Sequence, residues 1–138
     1  MVDTRFSLSV HVMITLAYNE DELVNSEYLA GVLKTNPTFV RKIVSRLVDA
    51  ELVESFRGKG GGIRIARAPQ EISLKDIYTA AVEEKCLLST HKKPIFKNCP
   101  VSCSMDEILL DIVGGIEHST KTYLAKMRLS DLLKKVKK

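Results

Sequence analysis

The chain has 138 residues, 45% hydrophobic and 28% charged, with 21 Lys and Arg against 17 Asp and Glu, a net charge of +4. That length suits one domain, or one small domain with an extension, and is enough to bury a core. No apolar run reaches the roughly 18 residues of a membrane span, the first residues lack a signal-peptide pattern, and three cysteines do not make a secreted disulfide scaffold; a cytoplasmic protein with no membrane partner is expected.

Asp3 is placed to cap a first helix running to about Tyr18, whose apolar positions Phe6, Val10, Met13, Ile14 and Ala17 recur every three or four residues. The acidic stretch Asn19 to Asn25 reads as a loop. Ser26 caps a short helix to about Leu33, with Glu27 near its positive end and Leu29, Ala30 and Leu33 inward. Asn36-Pro37 starts a third helix that runs to about Ala50. Phe39 or Val40, Ile43, Val44 and Leu47 face its inside, which leaves Arg41, Lys42, Ser45 and Arg46 outward. Leu52 to Phe56 and Ile63 to Ala66 alternate as strands do. Between them Arg57-Gly58-Lys59-Gly60-Gly61-Gly62 is too long for a two-residue turn and free in its backbone angles. Pro69 interrupts the second strand's continuation, and Ser73 caps a helix from Leu74 to about Glu84. Residues 86 to 104 read as irregular, with Pro94, Pro100 and the three cysteines. A long helix from about Ser104 to Met127 carries a stripe near heptad spacing, which predicts a dimer seam of Met105, Leu109, Ile112, Ile116 and Tyr123. Gly114-Gly115 within it costs about 1 kcal/mol per glycine relative to alanine, which points to close helix approach or a bend. Ser130 to Lys138 reads as a short helix with a lysine tail.

Charge placement says more than the net value. From Lys34 to Arg67 eight Lys and Arg face three acids, a net of +5, while Glu20, Asp21, Glu22 and Glu27 lie upstream. Such a patch is the footprint of a phosphate partner. Two short helices with a basic outer face on the second fit a helix-turn-helix, and the hairpin that follows makes it a winged helix. The expected fold is therefore mainly α with a small β-hairpin: a winged helix-turn-helix domain over 1–68, then a connecting helix, a cysteine-containing loop and a long dimerisation helix over 69–138. No Ser, His and acid arrangement or carboxylate pair points to catalysis. The glycine loop lies between two strands and no Lys-Ser/Thr follows it, so nucleotide-site fingerprints fail. The protein is not expected to be an enzyme; the competing class is a winged-helix dimer that acts as a protein-interaction module without DNA.

The segments Arg57-Gly58-Lys59-Gly60-Gly61-Gly62, Ile63-Arg64-Ile65-Ala66, Pro69 and Ile72-Ser73-Leu74-Lys75-Asp76-Ile77 resemble the family of winged-helix regulators that includes IscR, NsrR and CymR, over about Arg5 to Lys135. The resemblance implies a homodimeric transcription factor, often a repressor. Each subunit would place its third helix in a major groove and its wing on the flanking minor groove of a palindromic operator. It makes Thr38, Arg41, Lys42, Ser45 and Arg46 DNA-binding candidates on the helix, and Arg57, Gly58, Lys59 and Gly60 candidates on the wing. Several members ligate an iron–sulfur cluster through three closely and evenly spaced cysteines. Here Cys86, Cys99 and Cys103 are separated by 12 and 3 residues, which disfavours a cluster. Cys99-Pro100-Val101 resembles the helix start of relatives that lack one. No cofactor and no metal site are expected; Cys99 and Cys103 remain candidate sensor thiols, and the effector is unassigned. His91 and His118 have no diagnostic ligand spacing.

Overall fold

The computed structural model describes residues 4–82 and 98–137. α1 (Arg5–Tyr18), α2 (Ser26–Leu33) and α3 (Pro37–Asp49) lead into a hairpin of β1 (Val53–Phe56) and β2 (Gly62–Ile65). A 3₁₀ turn at Pro69–Glu71 precedes α4 (Leu74–Val82); α5 (Pro100–Ala125) and α6 (Leu129–Leu133) follow. No described helix is long and apolar enough to cross a membrane.

Local signals set most of these boundaries. The Asn36 Oδ1 accepts the Phe39 N–H at 2.8 Å, and Pro37 occupies the first turn, where its missing N–H has no consequence. Ser73 and Asp76 cap α4 reciprocally: the Ser73 Oγ accepts the Asp76 N–H at 3.1 Å and the Asp76 Oδ2 accepts the Ser73 N–H at 3.0 Å. The predicted reach of this helix to Glu84 lies outside the described residues, as does Asp3. Two expectations are corrected. The cap of α2 is Asn25, whose Oδ1 accepts the Tyr28 N–H at 2.7 Å, and Ser26 is the first helical residue. The cause is Val24, whose N–H and C=O both bond Ile63 of β2 at 2.8 Å; that bridge holds Val24 extended and makes the next residue the transition into helix. The long helix starts at Pro100 rather than Ser104, again with proline in the first turn, so Cys103 sits on the helix and not in a loop.

One apolar cluster joins both halves of the chain. Val12, Met13 and Leu16 of α1, Leu29 of α2, and Val40, Ile43, Val44 and Leu47 of α3 meet Ile63 and Ile65 of β2, Ile77 and Tyr78 of α4, and Leu124 and Leu129. α1 packs against α4 and α6 as well as α2 and α3. The chain after α5 returns to the start of α4, where the Leu74 N–H donates to the Met127 carbonyl and the Leu129 N–H to the Ile72 carbonyl, both at 2.9 Å. Tyr78 is buried, with Phe6 edge-on at 5.6 Å between ring centroids, and its hydroxyl reaches both Glu117 carboxylate oxygens at 2.9 Å. That hydrogen bond fastens α4 to α5.

Candidate nucleic-acid interface

The buried Val40, Ile43, Val44 and Leu47 fix which side of α3 faces water. At 3.6 residues per turn this leaves Thr38, Lys42 and Ser45 on the outer face, with Arg41 on one flank and Arg46 on the other. Thr38, Arg41, Lys42 and Ser45 are exposed; Arg46 is half-buried.

The wing stands beside the Arg41 flank. Its register pairs Val53 with Ile65, Glu54 with Arg64, Ser55 with Ile63 and Phe56 with Gly62, and the second edge of β2 bonds Val24. The tip is closed by a bond from the Gly61 N–H to the Gly58 carbonyl at 3.0 Å, with φ of +89° at Gly58 and +81° at Gly60. Only glycine takes such angles without strain. Arg57, Gly58, Lys59 and Gly60 are all exposed. An open cleft of about 610 Å³ runs between helix and wing, and Arg41 and Ser45 line it together with Arg57 and Gly58. Four of the predicted residues are thus brought to one groove; Thr38, Lys42, Lys59 and Gly60 flank it on exposed surface.

Arg46 goes elsewhere. Its Nη1 donates to the carbonyl of Ala81 in α4 at 3.2 Å. It lines a separate cleft of about 530 Å³ between α3 and α4, with Asp49, Arg67, Lys75 and Asp76. The outward face expected for Arg46 is corrected by this bond, which draws its half-buried side chain toward α4.

The helix–wing cleft has further lining residues that sequence reasoning missed: Asn25, Ser26, Ser55 and Phe56. The signal for the last two was their position directly before Arg57. Asn25 and Ser26 bring the N-terminus of α2 to the cleft, where its free N–H groups suit an anion. The nearby acid on the wing is engaged: the Glu54 Oε2 holds the Arg64 Nε at 3.0 Å, and the Arg64 guanidinium lies 4.9 Å from the centroid of the Phe56 ring. Glu54 therefore subtracts little from the positive potential of the groove.

Cys99 is the cap residue of α5 and half-buried; Cys103, one turn on, is exposed, and its N–H donates to the Cys99 carbonyl at 3.1 Å. Among the described residues no three His, Cys, Asp or Glu side chains are placed to hold a metal ion. Cys86 and His91 lie outside the described residues. Along α5 the apolar residues Val101, Ile108, Ile112, Ile116 and Tyr123 are exposed, at 39–65%. Met105 and Leu109 are half-buried, and Leu109 shares the side of α5 that carries Glu117 and the buried Leu124.

A family model, Rrf2, described as an iron-dependent transcriptional regulator, matches residues 2–135. YwnA of Bacillus subtilis, named as an HTH-type transcriptional regulator, is 28% identical over 133 residues, which are 96% of this chain and 97% of that protein. A solved transcriptional regulator from Lactobacillus plantarum superposes with a TM-score of 0.78 at 25% identity, over 94% of this chain and 87% of the other. CymR of B. subtilis, described as the global cysteine regulator, shares the fold with a TM-score of 0.68 at 21% identity, over 99% and 98% of the two chains.

Proposed function

The chain belongs to the Rrf2 family of DNA-binding transcriptional regulators, and we propose that it is a homodimeric repressor whose two protomers grip an inverted-repeat operator with α3 and the wing. The observation that carries this is the shared groove: Arg41 and Ser45 of α3 and Arg57 of the wing line one open, cationic cleft. α3 enters the major groove, with Thr38, Arg41, Lys42 and Ser45 toward bases and adjoining phosphates. Arg57 and Lys59, carried on the glycine tip, follow the backbone into the flanking minor groove.

Pairing is supported by α5. Val101, Ile108, Ile112, Ile116 and Tyr123 expose apolar surface at spacings that keep them on one stripe. Fully burying one such side chain is worth about 1.5–3 kcal/mol, so a self-complementary seam gains from each residue twice. A Cβ at Gly115, which borders this stripe, would meet nothing within 4 Å, so that glycine leaves room for a partner backbone. Met105 lies within this stripe and Leu109 at its edge, both half-buried in the single chain. A two-fold dimer sets two recognition helices against two half-sites, and repression then needs only occupancy of the promoter. No iron–sulfur cluster belongs to this proposal; Cys99 and Cys103, near the end of the seam, are the points where a redox or electrophilic signal would act.

Selection of bound sequences from a pool of random duplexes tests this function. The expected product is an inverted repeat with half-sites one helical turn, or a multiple of it, apart. Recovery of unsymmetric sequences would refute the two-fold reading, and recovery of none would favour an interaction module without DNA.

A further inference from the structure

The two arginines on α3 occupy opposite flanks and opposite clefts. Arg41 lines the groove that α3 shares with the wing. Arg46 lines the cleft behind α3, and its guanidinium donates to the Ala81 carbonyl at 3.2 Å, across 35 residues of chain. The bond ties the C-terminal half of α3 to α4 through a backbone carbonyl. α4 is itself held on its other side, because the buried Tyr78 hydroxyl bonds the Glu117 carboxylate of α5 at 2.9 Å. A continuous set of contacts thus runs from the recognition helix through Arg46 to α4, and through Tyr78 and Glu117 to the helix that carries the exposed apolar stripe.

We propose that Arg46 is a positioning residue for DNA recognition and not a phosphate contact: by fastening the C-terminal half of α3 to α4 at Ala81, it fixes the rotation at which Arg41, Lys42 and Ser45 meet the duplex. This rests on the reading of α3 as the major-groove helix. Positioning and phosphate binding have different signatures. Taking one cation off a phosphate lowers the slope of log affinity against log salt by about one, whereas a slightly rotated helix keeps its long, flexible Arg41 and Lys42 on phosphates and loses its directional base contacts, which weakens affinity at every salt concentration with the slope kept.

The experiment compares the unaltered full-length chain with Arg46→Met and Arg41→Met, on one duplex selected by the unaltered chain. Binding is titrated over a salt series at a temperature where circular dichroism shows each variant fully folded. Methionine keeps most of the aliphatic stem of arginine and removes its charge and donors. For Arg46→Met the expected result is an affinity loss of about tenfold or more with an unchanged slope. For Arg41→Met the slope should fall by about two for the dimer. A slope reduced equally by Arg46→Met would make that residue a phosphate contact and overturn the proposal. A lower melting temperature with unchanged affinity would make it a structural tie only, and would overturn it as well. If Arg41→Met changes neither affinity nor slope, the major-groove reading of α3 fails instead, which separates the two failures.

Discussion

Ile112→Glu combined with Ile116→Glu is expected to give a folded monomer of about 15.4 kDa whose affinity for the selected duplex falls by about 10²–10⁴-fold. Both isoleucines are exposed in the single chain, at 53% and 39%, so glutamate there meets water and the fold survives. Across a two-fold seam the same change sets four carboxylates against apolar surface and one another, and an unpaired charge taken out of water costs several kcal/mol. Once the pair has separated, a protomer on one half-site no longer holds its partner near the second. The millimolar effective concentration supplied by the dimer disappears, and that is the source of the weaker binding. Sedimentation of the variant and a binding titration check both parts. A variant that stays dimeric removes this stripe from the interface.

Arg57→Ala combined with Lys59→Ala is expected to leave the fold and the dimer intact and to lower affinity on the order of 10³-fold near 0.1 M salt. Both side chains are exposed, and the turn is shaped by Gly58 and Gly60, which stay. Two cations on each of two protomers make four phosphate contacts. Counterion release then removes about 3.6 from the slope of log affinity against log salt, and at 0.1 M this amounts to three to four decades. An unchanged slope would take the wing off the backbone. The strand pairing and the Phe56, Arg64 and Glu54 contacts involve neither substituted side chain, so disrupted strand pairing would not be the explanation.

What the sequence disclosed follows the range of the interactions involved. Asn36-Pro37, the Ser73 cap and the glycine tip are local devices, and each does in the fold what its residue types require. The burial of Val40, Ile43, Val44 and Leu47 follows from helical period alone. The misses lie where a distant partner decides. Asn25 displaces Ser26 as cap because β2 holds Val24 extended from 39 residues away. Arg46 turns inward because the Ala81 carbonyl of α4 lies beside it, which no periodicity within α3 reveals. The turn between α2 and α3 is obscure for another reason. Its left-handed residue is Lys34, with φ of +53°, where a glycine or asparagine would have announced it. Leu109 belongs to the apolar stripe of its helix, but a stripe does not say how its edge is divided between the chain's own body and a second copy.

The affinity of the unaltered chain for duplex DNA, followed over a range of salt concentrations, tests the central claim most directly. With Arg57 and Lys59 of both protomers on phosphates, and Arg41 and Lys42 contributing in part or in full, the slope of log affinity against log salt should fall between about −4 and −7. Negligible affinity for duplex DNA at low salt, or an affinity indifferent to salt, would contradict it.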